Sequence, residues 1–174
     1  TIVRLFKDGD RVAGALGYDR EKGRFRLFRA GAIVIATGGI GRAFSITSNS
    51  WEYTGDGYAM AYEVGAALQD MEFIQFHPTG MVWPPSVKGI LVTEGVRGEG
   101  GVLLNKDGRR FMFDDIPDNY KNQTAKDDEE GWRYTQGDKS ANRPPELLTR
   151  DHVARCIMRE VKAGRGSPHG GVFL

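Results

Sequence analysis

The sequence predicts an α/β segment that contains a β-meander, joined to a second region of mixed helices and strands. Short alternating segments separated by glycine-containing turns occupy the first 30 residues. Five apolar residues follow at 32–36 without alternation, which is typical of a strand buried on both faces of a parallel sheet. Helical patterns then appear at 54–66 and 150–163. An apolar strand followed by helical segments indicates the α/β class.

Three strands form the predicted meander, at residues 2–6, 12–18 and 25–28. The turns between them contain Gly9 and Gly23, and glycine readily adopts the backbone angles of tight turns. The apolar segment 32–36 ends in a run of glycines, so its carboxyl end is suited to the close approach of a ligand.

The middle of the chain reads as a helix over 54–66, which ends near Gly65, and then as a strand over 68–77. Acidic, amide and glycine residues are abundant over 115–146. Their density, together with Pro144-Pro145, predicts a long surface excursion.

The helix over 150–163 carries the clearest signals, with Thr149 at the N-cap position and Gly164 after the last turn. Its predicted inward face consists of Val153, Ala154, Ile157, Met158 and Val161. Arg150 contradicts the pattern, because the positive end of the helix dipole favours an acidic residue in the first turn by about 0.3–1 kcal/mol. We therefore regard Arg150 as a functional candidate.

Composition excludes several classes of function. Lysine and arginine total 24 against 23 acidic residues, a net charge of +1 that provides no field for nucleic acid or an anionic membrane. The single Cys156 cannot form an internal disulfide, so a reducing compartment is expected.

The chain begins at Thr1 and ends in an apolar stretch, and we expect it to be a segment of a larger protein.

Two glycine-rich sites are candidates for binding a ligand. Thr37, Gly38 and Gly39 follow the apolar segment, although a simple tight turn explains the same pattern. The Gly-x-Gly-x-x-Gly fingerprint of a dinucleotide loop is absent. Asp56 begins the next helix, where it can cap the helix, bind a ligand, or do both.

A second group of candidates combines histidine with acidic and basic residues. His77 precedes a proline and can be held rigidly towards a pocket, although a lone histidine is more often structural. Glu94 and Arg97 stand among four glycines, either as an exposed surface pair or as part of a closed site. His152 and Cys156 share a helix face but lack two further zinc ligands, so we predict no metal site.

The motifs together resemble one family. They occur in the order Ala36-Thr37-Gly38-Gly39, Thr54-Gly55-Asp56-Gly57, Gln75-Phe76-His77-Pro78-Thr79-Gly80, Thr93-Glu94-Gly95-Val96-Arg97-Gly98-Glu99-Gly100-Gly101, Arg110-Phe111-Met112, Arg150-Asp151 and Gly164-Arg165-Gly166. This ordered set resembles the flavoprotein subunit of the succinate dehydrogenase and fumarate reductase family from about residue 30 onward. The polar stretch 115–146 is not matched motif by motif.

The resemblance implies a two-domain flavoprotein in which a dicarboxylate lies between the domains. Residues 1–71 are then the end of the first segment of a Rossmann-like FAD-binding domain, and 72–174 are most of an α+β capping domain. Thr37, Gly38, Gly39 and Asp56 map to the flavin side. His77, Thr93 and Glu94 map to the substrate side. The proton-delivering arginine maps to Arg150, with Glu94 and Arg97 as its relay.

The resemblance also implies FAD as cofactor, succinate or fumarate as substrate, and electron transfer to an iron–sulfur subunit held by membrane anchors. It places the protein in the cytoplasm on the inner face of a membrane. The pyrophosphate loop and the remaining carboxylate-binding residues of the family have no counterpart here, so this segment alone is expected to be inactive. L-aspartate oxidase, which is similar in fold and motifs, and a non-catalytic cap module are the alternatives.

Overall fold

The computed structural model describes residues 1–174 and contains two compact units, Thr1–Phe73 and Ile74–Leu174. The division falls two residues beyond the boundary between 71 and 72 predicted from the sequence. Assignment of the units to FAD-binding and capping domains stays a prediction. None of the helices combines the length and apolar character that crossing a bilayer requires.

The predicted meander is confirmed as the sheet of the first unit. Strands β1 (Ile2–Asp8), β2 (Arg11–Asp19) and β3 (Arg24–Arg29) pair antiparallel in sequence order. Leu5 of β1 lies opposite Ala15 of β2, and both are buried. Short apolar segments bounded by turns therefore predicted the three strands correctly, to within two residues at each end.

The predicted strand at 32–36 is wrong for this chain. The segment pairs with no other strand, and the Val34 side chain is 90% exposed. A strand exists only where a partner accepts its backbone hydrogen bonds, and the described chain provides no parallel neighbour for this segment. The predicted strand at 68–77 fails for the same reason, with Phe73 76% exposed.

The helix predicted at 54–66 is confirmed with shorter bounds as α1 (Asp56–Glu63). Gly55 precedes it in the left-handed region, with φ of 90°, and Gly65 follows it with φ of 92°. Both ends therefore depend on a conformation that other residues adopt only with strain. The helix contacts β1 of the same unit.

The second unit has helices as its regular elements and contains the larger apolar core. Its helices are α2 (Glu94–Gly98), α3 (Asp128–Thr135) and α4 (Arg150–Lys162). Short 3₁₀ turns lie at Pro85–Val87, Met112–Asp114, Asp118–Gln123 and Pro145–Leu147. The core consists of seven buried side chains: Leu103, Phe111, Met112, Leu148, Val153, Cys156 and Ile157.

The predicted surface excursion at 115–146 is correct for most of its residues, which are exposed or partly buried, but part of the stretch enters the interior. It contains α3, and Thr124 and Ala125 are completely buried. The Asp127 carboxylate accepts a hydrogen bond from the Glu130 backbone N–H at 2.8 Å, while the Glu130 carboxylate accepts from Lys126 N–H at 2.9 Å. The acidic run therefore caps helix α3, because its carboxylates accept hydrogen bonds from the backbone N–H groups of Lys126 and Glu130.

Helix α4 is confirmed, but its inward face differs from the predicted one. The buried residues are His152, Val153, Cys156, Ile157 and Glu160, whereas Met158 is 47% exposed. Polar side chains at 152 and 160 enter the interior because other elements supply their hydrogen-bond partners. Sequence periodicity based on apolar residues could not detect those partners.

Glu160 provides a test of this packing through the dependence of stability on pH. Hydrogen bonding to Arg165 lowers the pKa of Glu160 to about 2 against the opposing effect of burial, and Asn105 contributes a further hydrogen bond. A lowered pKa stabilises the folded state above the unfolded pKa, near 4.3, and the stabilisation disappears as pH falls towards 2. The contribution is on the order of 3 kcal/mol.

We therefore expect Glu160→Gln in the full-length protein to lower the urea unfolding free energy at pH 7, with the difference from wild type shrinking steadily between pH 5 and pH 2.5. The exposed Glu72→Gln is the control and should leave the whole profile unchanged. A difference that stays constant over this pH range would contradict the assignment.

Candidate active site

A short antiparallel pairing in the second unit fixes the position of His77. Val92 N–H donates to the Thr79 carbonyl at 2.9 Å, and Met81 N–H donates to the Ile90 carbonyl at 2.8 Å. The two paired segments run antiparallel, so residues 77 and 93 lie at the same end of the pairing. Thr93 is the N-cap residue of α2, and its side chain makes no capping hydrogen bond.

Hydrogen bonding indicates which tautomer the half-buried His77 adopts when its ring is neutral. Thr79 N–H donates to its Nδ1 at 3.3 Å, and the Thr79 hydroxyl donates to the Val92 carbonyl at 2.8 Å. Burial, followed by the charges of Arg150 and Arg97, lowers the pKa of His77, while Glu94 opposes them. Because Nδ1 accepts, the neutral ring carries its proton on Nε2, which is then a hydrogen-bond donor.

Arg97 is a charged side chain of this region with no exposed surface. Its Nη1 donates to the backbone carbonyl of Glu146, whereas its Nε and Nη2 have no hydrogen-bond partner. Burial lowers the pKa of Arg97, and the charge of Arg150 acts in the same direction, while Glu94 and Glu146 oppose it. An arginine with two unused donor groups in the interior is unusual for a purely structural role.

Glu94 lies between two arginines. Its Oε2 is 3.7 Å from Nη2 of Arg97 and 3.6 Å from Nε of Arg150. Arg97 is buried, whereas the Glu94 and Arg150 side chains are 52% and 44% exposed. One carboxylate oxygen therefore links a buried guanidinium to an accessible one.

The unfavourable position of Arg150 at the start of α4 is explained by its neighbours. Glu94 supplies the negative charge that the helix N-terminus lacks locally. The side-chain amide of Gln75 accepts a hydrogen bond from Arg150 Nη1 at 3.2 Å. Sequence reasoning singled out neither Gln75 nor Glu146 as a site residue. Gln75 could have been found, because it stands in the same motif as His77, Gln75-Phe76-His77-Pro78-Thr79-Gly80.

The flavin-side candidates lie together in the first unit. A Cβ on Gly57 would be 1.9 Å from Oγ1 of Thr37, so Thr37 packs directly against the first turn of α1. Gly38 has φ of 73°, and a Cβ there would be 2.7 Å from the ring of Tyr53. Thr37 and Gly38 are exposed, so their backbone is open to a flat ring system. Gly39 follows directly and is partly buried.

Asp56 lies at the first position of α1 and does not cap the helix, since Gly55 occupies the N-cap. Its carboxylate accepts a hydrogen bond from the Thr54 hydroxyl at 2.8 Å. The capping interpretation of Asp56 is therefore wrong in detail. Assignment of this glycine-lined surface to the flavin stays a prediction.

His152 and Cys156 acquire a third neighbour in the structure. Nε2 of His152 is 3.4 Å from Sγ of Cys156 and 2.6 Å from the backbone carbonyl of Asp115. The Asp115 carboxylate is bound by Arg159 at 2.7 Å, and burial raises the pKa of the Cys156 thiol. These three residues offer possible metal ligands, but His152 and Asp115 already have protein partners.

Comparisons with known proteins show the family to which the chain belongs. A family model described as "FAD binding domain" matches residues 1–174. The chain belongs to the FAD-binding domain family. Within it, the chain is 44% identical over 173 residues to one subunit of the fumarate reductase (CoM/CoB) of Methanothermobacter marburgensis, with 99% of this chain and 27% of that protein covered.

Two further similarities connect this member of the FAD-binding domain family to related flavoproteins. It is 41% identical over 165 residues to the succinate dehydrogenase flavoprotein subunit of Coxiella burnetii, covering 95% of this chain and 23% of that one. Among solved structures, a variant of the E. coli quinol fumarate reductase matches with a TM-score of 0.74 and 34% identity, covering 98% of this chain and 26% of that chain. The chain thus spans about a quarter of each of these relatives.

Proposed function

We propose that the full-length protein is an FAD-dependent oxidoreductase that interconverts succinate and fumarate, and that this chain contributes its proton-delivery residues and part of its substrate and flavin sites. The observation that carries the proposal is the single carboxylate oxygen of Glu94 placed between Arg97 and Arg150. Relatives named as fumarate reductase and succinate dehydrogenase subunits support the substrate assignment.

The reaction requires a proton at one carbon of the substrate double bond and a hydride at the other. Arg150 gives a proton to the carbon of fumarate, Glu94 passes one from Arg97 to Arg150, and Arg97 regains its proton from water, so the three groups end as they began. The reverse sequence removes a proton from succinate. A neutral guanidine is costly because arginine holds its proton strongly. The Glu94 carboxylate lowers that cost, because it can return a proton to Arg150 as soon as Arg150 has lost one.

His77 and Thr93 bind a carboxylate of the substrate in this proposal. The Nε2–H of neutral His77 is a donor, because Nδ1 is occupied by Thr79 N–H. The Thr93 hydroxyl is free of any capping hydrogen bond and can donate as well. Two donors at one end of the pairing hold a dicarboxylate in a fixed orientation, which proton transfer to carbon demands.

The flavin side is assigned to Thr37, Gly38, Gly39 and Asp56. When bound, FAD supplies the hydride exchange at the second carbon. Electrons pass to an iron–sulfur subunit, and membrane-anchor subunits hold the complex on the inner, cytoplasmic face of the membrane. Relatives designated as subunits support the existence of partner chains.

The proposed substrate site is tested by His77→Ala and Thr93→Ala in the full-length protein. Each removes a hydrogen bond to a carboxylate worth about 1–3 kcal/mol, so we expect KM for succinate to rise about 5- to 150-fold. Dye reduction with succinate and malonate inhibition measure the effect. Thr47→Ala is the control, because the Thr47 hydroxyl contacts only a neighbouring backbone N–H.

Unchanged KM and malonate inhibition in both variants would contradict the substrate assignment. The same assay with L-aspartate separates the L-aspartate oxidase alternative, which requires aspartate to be oxidised in preference to succinate. A wild-type protein that binds FAD but oxidises neither compound and reduces no fumarate would support the non-catalytic alternative.

A further inference from the structure

Glu146 is completely buried in the 3₁₀ turn Pro145–Leu147, just before α4. Its Oε1 accepts from Arg110 Nε at 2.8 Å, and its Oε2 accepts from Arg110 Nη2 at 2.6 Å. The backbone N–H of Leu103 donates to Oε1 at 3.3 Å. Three donors from two other parts of the chain therefore hold one carboxylate.

The backbone of the same residue has a different partner. The Glu146 carbonyl accepts the hydrogen bond from Arg97 Nη1, and this is the one hydrogen bond that the Arg97 side chain makes. Arg97 otherwise has only its longer ion pair with Glu94, at 3.7 Å. The position of the Arg97 guanidinium consequently depends on the position of the Glu146 carbonyl.

A buried ion pair is weak evidence for a stabilising role, since apolar residues of similar volume commonly stabilise a protein as well or better. Arg110 also binds Asp128 of α3 through Nη1. The fork of Arg110 thus connects α3 to the turn that carries the Glu146 carbonyl. This arrangement restrains the turn in both position and orientation.

We propose that Glu146 and Arg110 are positioning residues for proton delivery, holding the Glu146 carbonyl so that Arg97 stays within reach of Glu94. The proposal rests on the proposed function of Glu94, Arg97 and Arg150. Neither Glu146 nor Arg110 contacts Arg150, and neither donates a proton. Their effect arises because displacement of a proton donor by about 1 Å can lower turnover about a hundredfold.

The test compares single and double variants of the full-length holoprotein. Arg110→Gln leaves the buried Glu146 carboxylate without its counter-charge, and Glu146→Gln leaves Arg110 with only its exposed partner Asp128, so both should destabilise the protein. The double variant Glu146→Gln/Arg110→Gln removes both charges and should recover much of the unfolding temperature. The number of intact sites is measured by titration with the dicarboxylate oxaloacetate. We expect the turnover per intact site of the double variant to stay about 10- to 100-fold below wild type.

Two further measurements separate positioning from a general structural effect. KM for succinate should remain within about twofold in the double variant, and the solvent deuterium isotope effect on turnover should increase because proton transfer becomes limiting. The neighbouring Arg109→Gln, which removes only a surface pair with Asp114, should retain wild-type values.

The proposal would be overturned if the double variant recovered turnover together with stability, or if its solvent deuterium isotope effect equalled that of the wild type. If the double variant does not fold, Arg110→Lys replaces it, because lysine keeps the charge but cannot form the bidentate fork. Turnover per site equal to wild type in a folded Arg110→Lys protein would also overturn it. Absence of succinate oxidation and fumarate reduction in the wild type would instead refute the underlying proposed function.

Discussion

Arg150→Gln is expected to lower turnover of the full-length protein by about a thousandfold or more while dicarboxylate binding and flavin content persist. Glutamine removes the proton that Arg150 exchanges with the substrate carbon but keeps a polar side chain of moderate length. The loss should therefore appear in kcat, as expected for an interaction made in the transition state. Oxaloacetate titration by flavin absorbance measures binding, and succinate-dependent dye reduction measures turnover.

Arg150→Lys should not restore the full rate, because an ammonium group lacks the planar fork that reaches both Glu94 and Gln75. Arg155→Gln is the matched control on the same helix, since Arg155 forms only a surface pair with Asp151. Turnover near the wild-type value in Arg150→Gln would remove the central claim of the proposed function. In that case the substitution would only relieve an unfavourable charge at the helix N-terminus.

The second large effect is expected for Glu94→Gln, with turnover reduced about a hundredfold or more. The amide cannot carry a proton between Arg97 and Arg150, and both arginines lose the charge they share. Removing this carboxylate also deprives the buried Arg97 guanidinium of its ion-pair partner, so a lower unfolding temperature is expected. Turnover as a function of pH and thermal unfolding of the holoprotein measure the two effects.

Glu99→Gln is the control for this substitution, because Glu99 lies exposed at the C-terminal end of the same helix. Glu94→Asp keeps the charge on a shorter side chain and should recover part of the rate. Equal turnover in Glu94→Gln and Glu99→Gln would show that proton delivery does not pass through Glu94.

Local patterns were sufficient for the elements that are stabilised by contacts close in sequence. The meander was predictable because hairpin strands find their partners a few residues away, through turns at Gly9 and Gly23. Helices α1 and α4 were predictable because their ends are marked by glycines and their apolar spacing is helical. These elements need no distant segment to define them.

The strand expectations at 32–36 and 68–77 were wrong because a strand requires partners that a local pattern does not contain. The burial of part of the polar stretch 115–146 was missed for a related reason. Its charged residues are satisfied by caps and by partners elsewhere in the chain, such as Arg110 for Glu146. Composition indicates that a residue is charged, but only the fold shows whether another group compensates that charge.

By itself, the sequence determined the residue types of the candidate site and their order, from Thr37 and Gly38 through His77 and Glu94 to Arg150. Their combination was specific enough to indicate the flavoprotein family. The tertiary structure alone decided that one oxygen of Glu94 lies between Arg97 and Arg150, and that the carbonyl of Glu146 binds Arg97. Helix and strand periodicities specify which face a residue occupies, whereas distances between separate elements depend on how the whole unit packs.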